Sequence, residues 1–131
     1  MIDQMHENEI AREIVNIAYK MHTQIGPGLL ESVYERVMQF ELEKLGFAVQ
    51  RQRGVPFVYE EIRMPIGFRA DLVVNNKVVI EIKSVEVLAP VHAKQLRTYL
   101  IAMDLRLGLL INFNVDLIKN GIKRVVNNLQ E

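Results

Sequence analysis

The chain has 131 residues, half of them hydrophobic and 24% charged, without a cysteine, the composition of one folded domain spanning residues 1–131. Sixteen basic residues balance sixteen acidic ones, which excludes a histone-like coat for nucleic acid; the missing cysteines exclude a disulfide framework, a zinc–thiolate site and a thiol nucleophile. No apolar run approaches the roughly 20 residues that span a bilayer, and the opening MIDQMHENEIAREI lacks the features of a signal peptide, so a soluble, cytoplasmic protein without membrane contact is expected.

From about Glu7 to Gln24, Ile10, Ile14, Ile17, Ala18 and Met21 recur at spacings of three and four, one face of an amphipathic helix. Ile25-Gly26-Pro27-Gly28 breaks it. A second helix is predicted from about Leu29 to Leu45, with Leu30, Val33, Tyr34, Val37, Met38 and Leu45 as its apolar stripe and Gly46 at its C-terminal cap. Glu31 lies on the edge of that stripe; Glu41 falls inside it, as a glutamate snorkelling past its neighbours.

The period then becomes strand-like. Phe47 to Arg51 and Val55 to Tyr59 read as two short strands parted by Arg53-Gly54, and Pro56 places this stretch at an edge or an irregularity. Ile66 to Val74 and Val78 to Lys83 follow, joined through the turn signal Asn75-Asn76. Pro90 opens a third helix to Met103, with Leu96, Tyr99, Leu100 and Met103 inward and His92 and Gln95 on the same side. Leu107 to Phe113 is a buried strand; Gly121 to Val126 adds a last short strand or a helix start. The order is α-α-β-β-β-β-α-β, an α/β fold with one mixed central sheet flanked by helices.

Chemistry concentrates in Asp71 to Lys83. Two carboxylates, Asp71 and Glu81, and the ammonium of Lys83 lie inside strands that are otherwise almost wholly aliphatic. A buried charge is costly unless paired, hydrated or bound to a metal. A two-residue loop would turn Asp71 away from Glu81. A three-residue loop, Asn75 to Lys77, pairs them and leaves Leu72, Val74, Val78, Ile80 and Ile82 as a clean apolar face, so the hydrophobic pattern selects it. Two carboxylates at cross-strand distance repel unless a cation stands between them. Oxygen donors of this kind suit Mg²⁺ or Mn²⁺. A plain buried ion-pair cluster is the competing reading of the same residues.

Asp71 with Glu81-Ile82-Lys83 resembles the D…(D/E)xK signature of the PD-(D/E)XK nuclease superfamily. Gly28-Leu29-Leu30-Glu31-Ser32-Val33-Tyr34 resembles the GxxExxY pattern of a small family within it, and Gln95 to Tyr99 resembles the QxxxY helix motif of RecB-like members. The likeness runs from about Ile25 to Val126. It departs at Ala70, which stands where the superfamily's name has proline.

The resemblance implies a restriction-endonuclease-like core and a Mg²⁺-dependent (or Mn²⁺-dependent) nuclease acting on nucleic acid, DNA before RNA. It implies metal binding by Asp71, Glu81 and the Ile82 carbonyl, with Glu31 completing the acidic shell directly or through water. Lys83 would act on the attacking water or the developing phosphorane charge, and Gln95 and Tyr99 would orient Lys83 or a phosphate. Arg51, Arg53, Arg63 and Arg69 are candidates for a phosphate-facing patch. A nuclease-like fold serving as a binding or assembly module is the alternative, favoured by the zero net charge; a small-molecule phosphodiesterase is a third reading. A homodimer is suggested by analogy with small nucleases alone.

Overall fold

The structure, a computed structural model, describes residues 2–131. The first apolar period folds as α1 (Glu7–Ile25), burying Ile10, Ala11, Ile14, Ile17, Ala18 and Met21. His6 caps it: its Nδ1 accepts from the Asn8 amide at 2.9 Å, and Glu9 returns the favour by accepting from the His6 amide at 3.1 Å. α2 (Glu31–Lys44) ends where Gly46 adopts φ +95°. There the Gly46 amide donates to Glu43 O and the Phe47 amide to Leu42 O, the paired bonds of a Schellman cap.

The inward face of α2 is rotated from the expected stripe. Tyr34, Glu35, Met38 and Leu42 are buried, whereas Leu30, Val33 and Leu45 are exposed. A glutamate replaces a valine in the interior because Arg51 meets its charge there. Glu41 is held by Lys20 at 2.9 Å and Lys44 at 3.3 Å, and the bond from Lys20 draws its carboxyl below the ordinary range.

One five-stranded sheet runs in the order β1 (Val49–Tyr59), β2 (Ile62–Val74), β3 (Val78–Lys83), β4 (Leu107–Asn112), β5 (Ile122–Val126), with α3 (Pro90–Met103) crossing between β3 and β4. β3 and β4 are parallel and the other neighbours antiparallel, so the sheet is mixed as expected. The two short strands expected before Tyr59 are one strand, and of Gly121 to Val126 the residues from Ile122 form a strand against β4, while Gly121 ends a short 3-10 helix. The order is therefore α-α-β-β-β-α-β-β. Arg53-Gly54 does not break β1, because glycine here serves close approach: a Cβ on Gly54 would stand 3.2 Å from Ile66. Pro56 sits at an edge strand and at a bulge between Val55 and Phe57.

The hairpin register follows the hydrophobic pattern. Val74 faces Val78 and Leu72 faces Ile80 across a three-residue loop, in which Asn75 and Asn76 take φ near +52°. Leu72, Val74, Val78, Ile80 and Ile82 pack under α1 and α2; Val73, Val79 and Leu110 pack under α3. Covered on both faces, β3 and β4 need no polar alternation. β2 meets β3 only from Leu72 to Val74. Before Leu72 it stays paired with β1 alone and leaves the sheet as a two-stranded arm.

Candidate active site

Where β2 and β3 part, side chains replace the next rungs of the ladder. The Asp71 amide donates to Glu81 Oε2 at 2.8 Å, and the Ile82 amide donates to Asp71 Oδ2 at 2.9 Å. Sheet divergence thus leaves two strand amides unpaired, and two carboxylates take them. Glu81 is only 6% exposed. Burial, then the charge of Asp71, pushes its carboxyl up to about 8. Burial also raises Asp71, with the charge of Glu35 adding to it, against the opposing pull of the Ile82 amide, Gln52 and Lys83. The pair therefore does not carry two full charges at neutral pH without an added cation.

Lys83 follows two residues after Glu81 at the end of β3, half-buried and opposite Asn112 of β4. Its charge favours ionisation of both carboxylates. The ammonium makes no hydrogen bond or ion pair among the described residues. It is available to a ligand.

The Gly-to-Tyr motif has a mechanical role. Gly28 turns the chain at φ +97°, where glycine carries no steric penalty. The Tyr34 hydroxyl donates to Gly26 O at 2.7 Å and accepts from the Leu29 amide at 3.2 Å, and its ring stacks on Phe113 with centroids 4.4 Å apart. That staple delivers Glu31 to the end of β3, where it accepts from the Ser84 amide at 3.3 Å while Ser84 Oγ donates to Leu29 O.

One turn further along α2 stands Glu35, which sequence reasoning missed. It is 5% exposed, and its Oε1 accepts from Arg51 Nε at 3.2 Å and from Gln52 Nε2 at 2.8 Å. Its charge, not that of Glu31, bears on Asp71 and Glu81. The available signal was its position four residues after Glu31 and beside Tyr34 on the inward face.

From the other side, α3 brings Tyr99. Its ring stacks on Phe68 with centroids 3.9 Å apart, and burial, then the charges of Glu81 and Asp71, raise its hydroxyl. Gln95, one turn earlier, is exposed and makes no side-chain hydrogen bond among the described residues. His92 is a cap, its Nδ1 accepting from the Ala89 amide at 3.1 Å. Of the four arginines, Arg51 is paired with Glu35 and Arg53 bonds Gln50 and Asn76, while Arg63 and Arg69 are exposed on the arm. A groove of about 630 Å³ beside Gln50, Arg53, Val73 and Asn76 includes none of the carboxylate cluster.

Strand alternation fails at this point. Arg51, opposite Leu72, reaches toward α2; Arg53, opposite Ala70, reaches Gln50 and Asn76 on the side of Val73, and Ala70 packs with the α3 cluster. Residues two apart on a strand ordinarily share a face. These do not, because Gln52 between them takes φ +54°.

A mixed sheet that opens at a carboxylate pair, with a lysine two residues beyond, defines a restriction-endonuclease-like α/β protein. The sequence matches the family model of the PD-(D/E)XK nuclease superfamily over residues 8–125, and the chain belongs to that superfamily. No curated protein and no solved structure matches it.

Nucleases of this superfamily typically depend on a divalent metal. Among the described residues, no three His, Cys, Asp or Glu side chains stand close enough to enclose an ion. The donor set nevertheless fits a hard cation held by two carboxylates and water, the usual manner of Mg²⁺. The raised carboxyls of Asp71 and Glu81 are those of a pair that a dication would return to the ionised form.

Proposed function

We propose that the chain is a metal-dependent nuclease that hydrolyses phosphodiester bonds of nucleic acid, DNA in the first place, and that Gly28, Glu31 and Tyr34 place it in the GxxExxY family. The observation that carries this reading is the interlocked pair Asp71–Glu81 with the uncommitted ammonium of Lys83 beside it. Asp71, Glu81 and the Ile82 carbonyl would hold Mg²⁺ or Mn²⁺, with Glu31 reaching it through water. Such an ion supplies Lewis acidity toward a phosphoryl oxygen and activation of water. Lys83 offsets charge that develops on the phosphate and orients the attacking water. Tyr99 and Gln95 orient the phosphate from α3. A cytoplasmic location is in keeping with the absence, among the described residues, of any helix long and apolar enough to cross a membrane. A homodimer would set two such sites against a duplex.

The second reading, a nuclease-like module for binding or assembly, is favoured by the zero net charge and by exposed Phe57, Tyr59 and Ile62 on the arm. Cleavage of labelled single- and double-stranded DNA and RNA, with Mg²⁺, Mn²⁺ or EDTA, separates the two. We expect metal-dependent cutting that Glu81→Ala abolishes and Lys83→Ala lowers by roughly 10²–10³-fold. No cutting and no metal uptake would leave the module.

A further inference from the structure

Gln52 is exposed and held in a backbone conformation that non-glycine residues rarely adopt, inside a strand. Such strain persists only where the surroundings over-determine it, and it concentrates at functional sites. The side chain shows what the conformation achieves. Its Nε2 donates to Glu35 Oε1 at 2.8 Å and to Asp71 Oδ1 at 3.2 Å. Only the amide nitrogen suits this place, because the carbonyl end would face two carboxylates.

Asp71 is thereby held at both oxygens, Oδ2 by the Ile82 amide and Oδ1 by Gln52. The first bond fixes one oxygen to β3. The second fixes rotation of the carboxylate about its last bond. Behind Gln52 stands Glu35, buried and anchored by Arg51, so the amide leans on α2. An extended residue at position 52 would alternate with Arg51, which reaches Glu35, and so would point to the other face, away from α2.

We propose that Gln52 is a positioning residue, a strained clamp that ties Asp71 to Glu35 and sets the angle at which the Asp71 carboxylate meets a divalent cation. The inference rests on the metal reading given above and adds a determinant from an element that carries no ligand. Outer partners of ligating carboxylates commonly change metal affinity by about 10–100-fold when removed.

Gln52→Ala and Gln52→Gly both delete the amide, but only glycine relaxes a positive φ. In the full-length chain, we expect Mn²⁺ affinity by titration calorimetry to fall about 10-fold or more, equally in both variants. Thermal midpoints should part them, glycine lying a few degrees above alanine. Affinity that ignores the difference in stability identifies the amide as the determinant. Binding within about twofold of wild type in both variants would overturn the clamp. Should the wild type take up no Mn²⁺, the metal reading falls, and metal-free crystal structures decide the clamp separately. An Asp71 carboxylate that turns or spreads over several positions in Gln52→Ala supports it; one unmoved refutes it.

Discussion

The centre of the sheet and the β1–β2 arm both set large apolar side chains on strands, the arm among more charges, and these side chains have opposite fates. In β3 and β4 almost every side chain is buried, because α1 and α2 cover one face and α3 the other. Tyr99 of α3 reaches the arm at Phe68; toward its tip Tyr59 and Ile62 remain about 60% exposed. Stability resides in the first region. Reach and accessibility belong to the second. Asp71, Glu81 and Gln52 lie where one becomes the other, so the carboxylates gain burial from the centre and an opening from the departure of the arm.

The largest effect should come from the centre. Ile80→Ala removes a fully buried side chain between β2 and β4 and should cost about 2–5 kcal/mol in urea denaturation. A loss under about 1 kcal/mol would mean that the covered sheet is not the main source of stability.

Titration of the boundary comes next. Glu81 holds its proton up to about pH 8 when folded, against about 4.5 for an ordinary glutamate. Between these values the folded state binds a proton that the unfolded state has released. Stability of the metal-free protein should therefore be greatest on the acid side of this window and fall as pH rises through it, by up to roughly a few kcal/mol. Glu81→Gln should flatten the slope and be the more stable form at pH 8. A wild-type stability that rises from pH 5 to 8 would contradict the burial of this carboxyl.

The smallest effect should come from the arm. Ile62→Ala should change stability by no more than about 0.5 kcal/mol, because the side chain is largely in water already. A loss near that of Ile80→Ala would show that the arm is covered in solution.

The carboxylate pair was legible in the sequence because its register is fixed twice, by the asparagine turn and by the apolar face that only one loop length leaves intact. α3 was legible from Pro90 and the spacing of Leu96 and Leu100. The arm was not, since Arg53-Gly54 and Pro56 resemble strand ends, whereas pairing with β2 carries the chain through them with a bulge. Glu35 was hidden by the rule that favours Val33 on an inward face. Its burial depends on Arg51 and Gln52, which no helical period can foresee. The positive φ of Gln52 left no trace either, because glutamine does not advertise that conformation as glycine or asparagine does.

Pro56 and Pro65 bear on how the molecule behaves among its own copies. β1 has no neighbour on its outer side, and β2 has none before Leu72 on the side facing away from β1. Both of these arm edges contain a proline, and β1 adds a bulge next to its own, whereas the short edge strand β5 on the far side of the sheet has none. Each proline withholds an N–H from any strand laid against it. An incoming hairpin cannot run an unbroken ladder along either arm edge, which blunts the route by which apolar strands grow into aggregates.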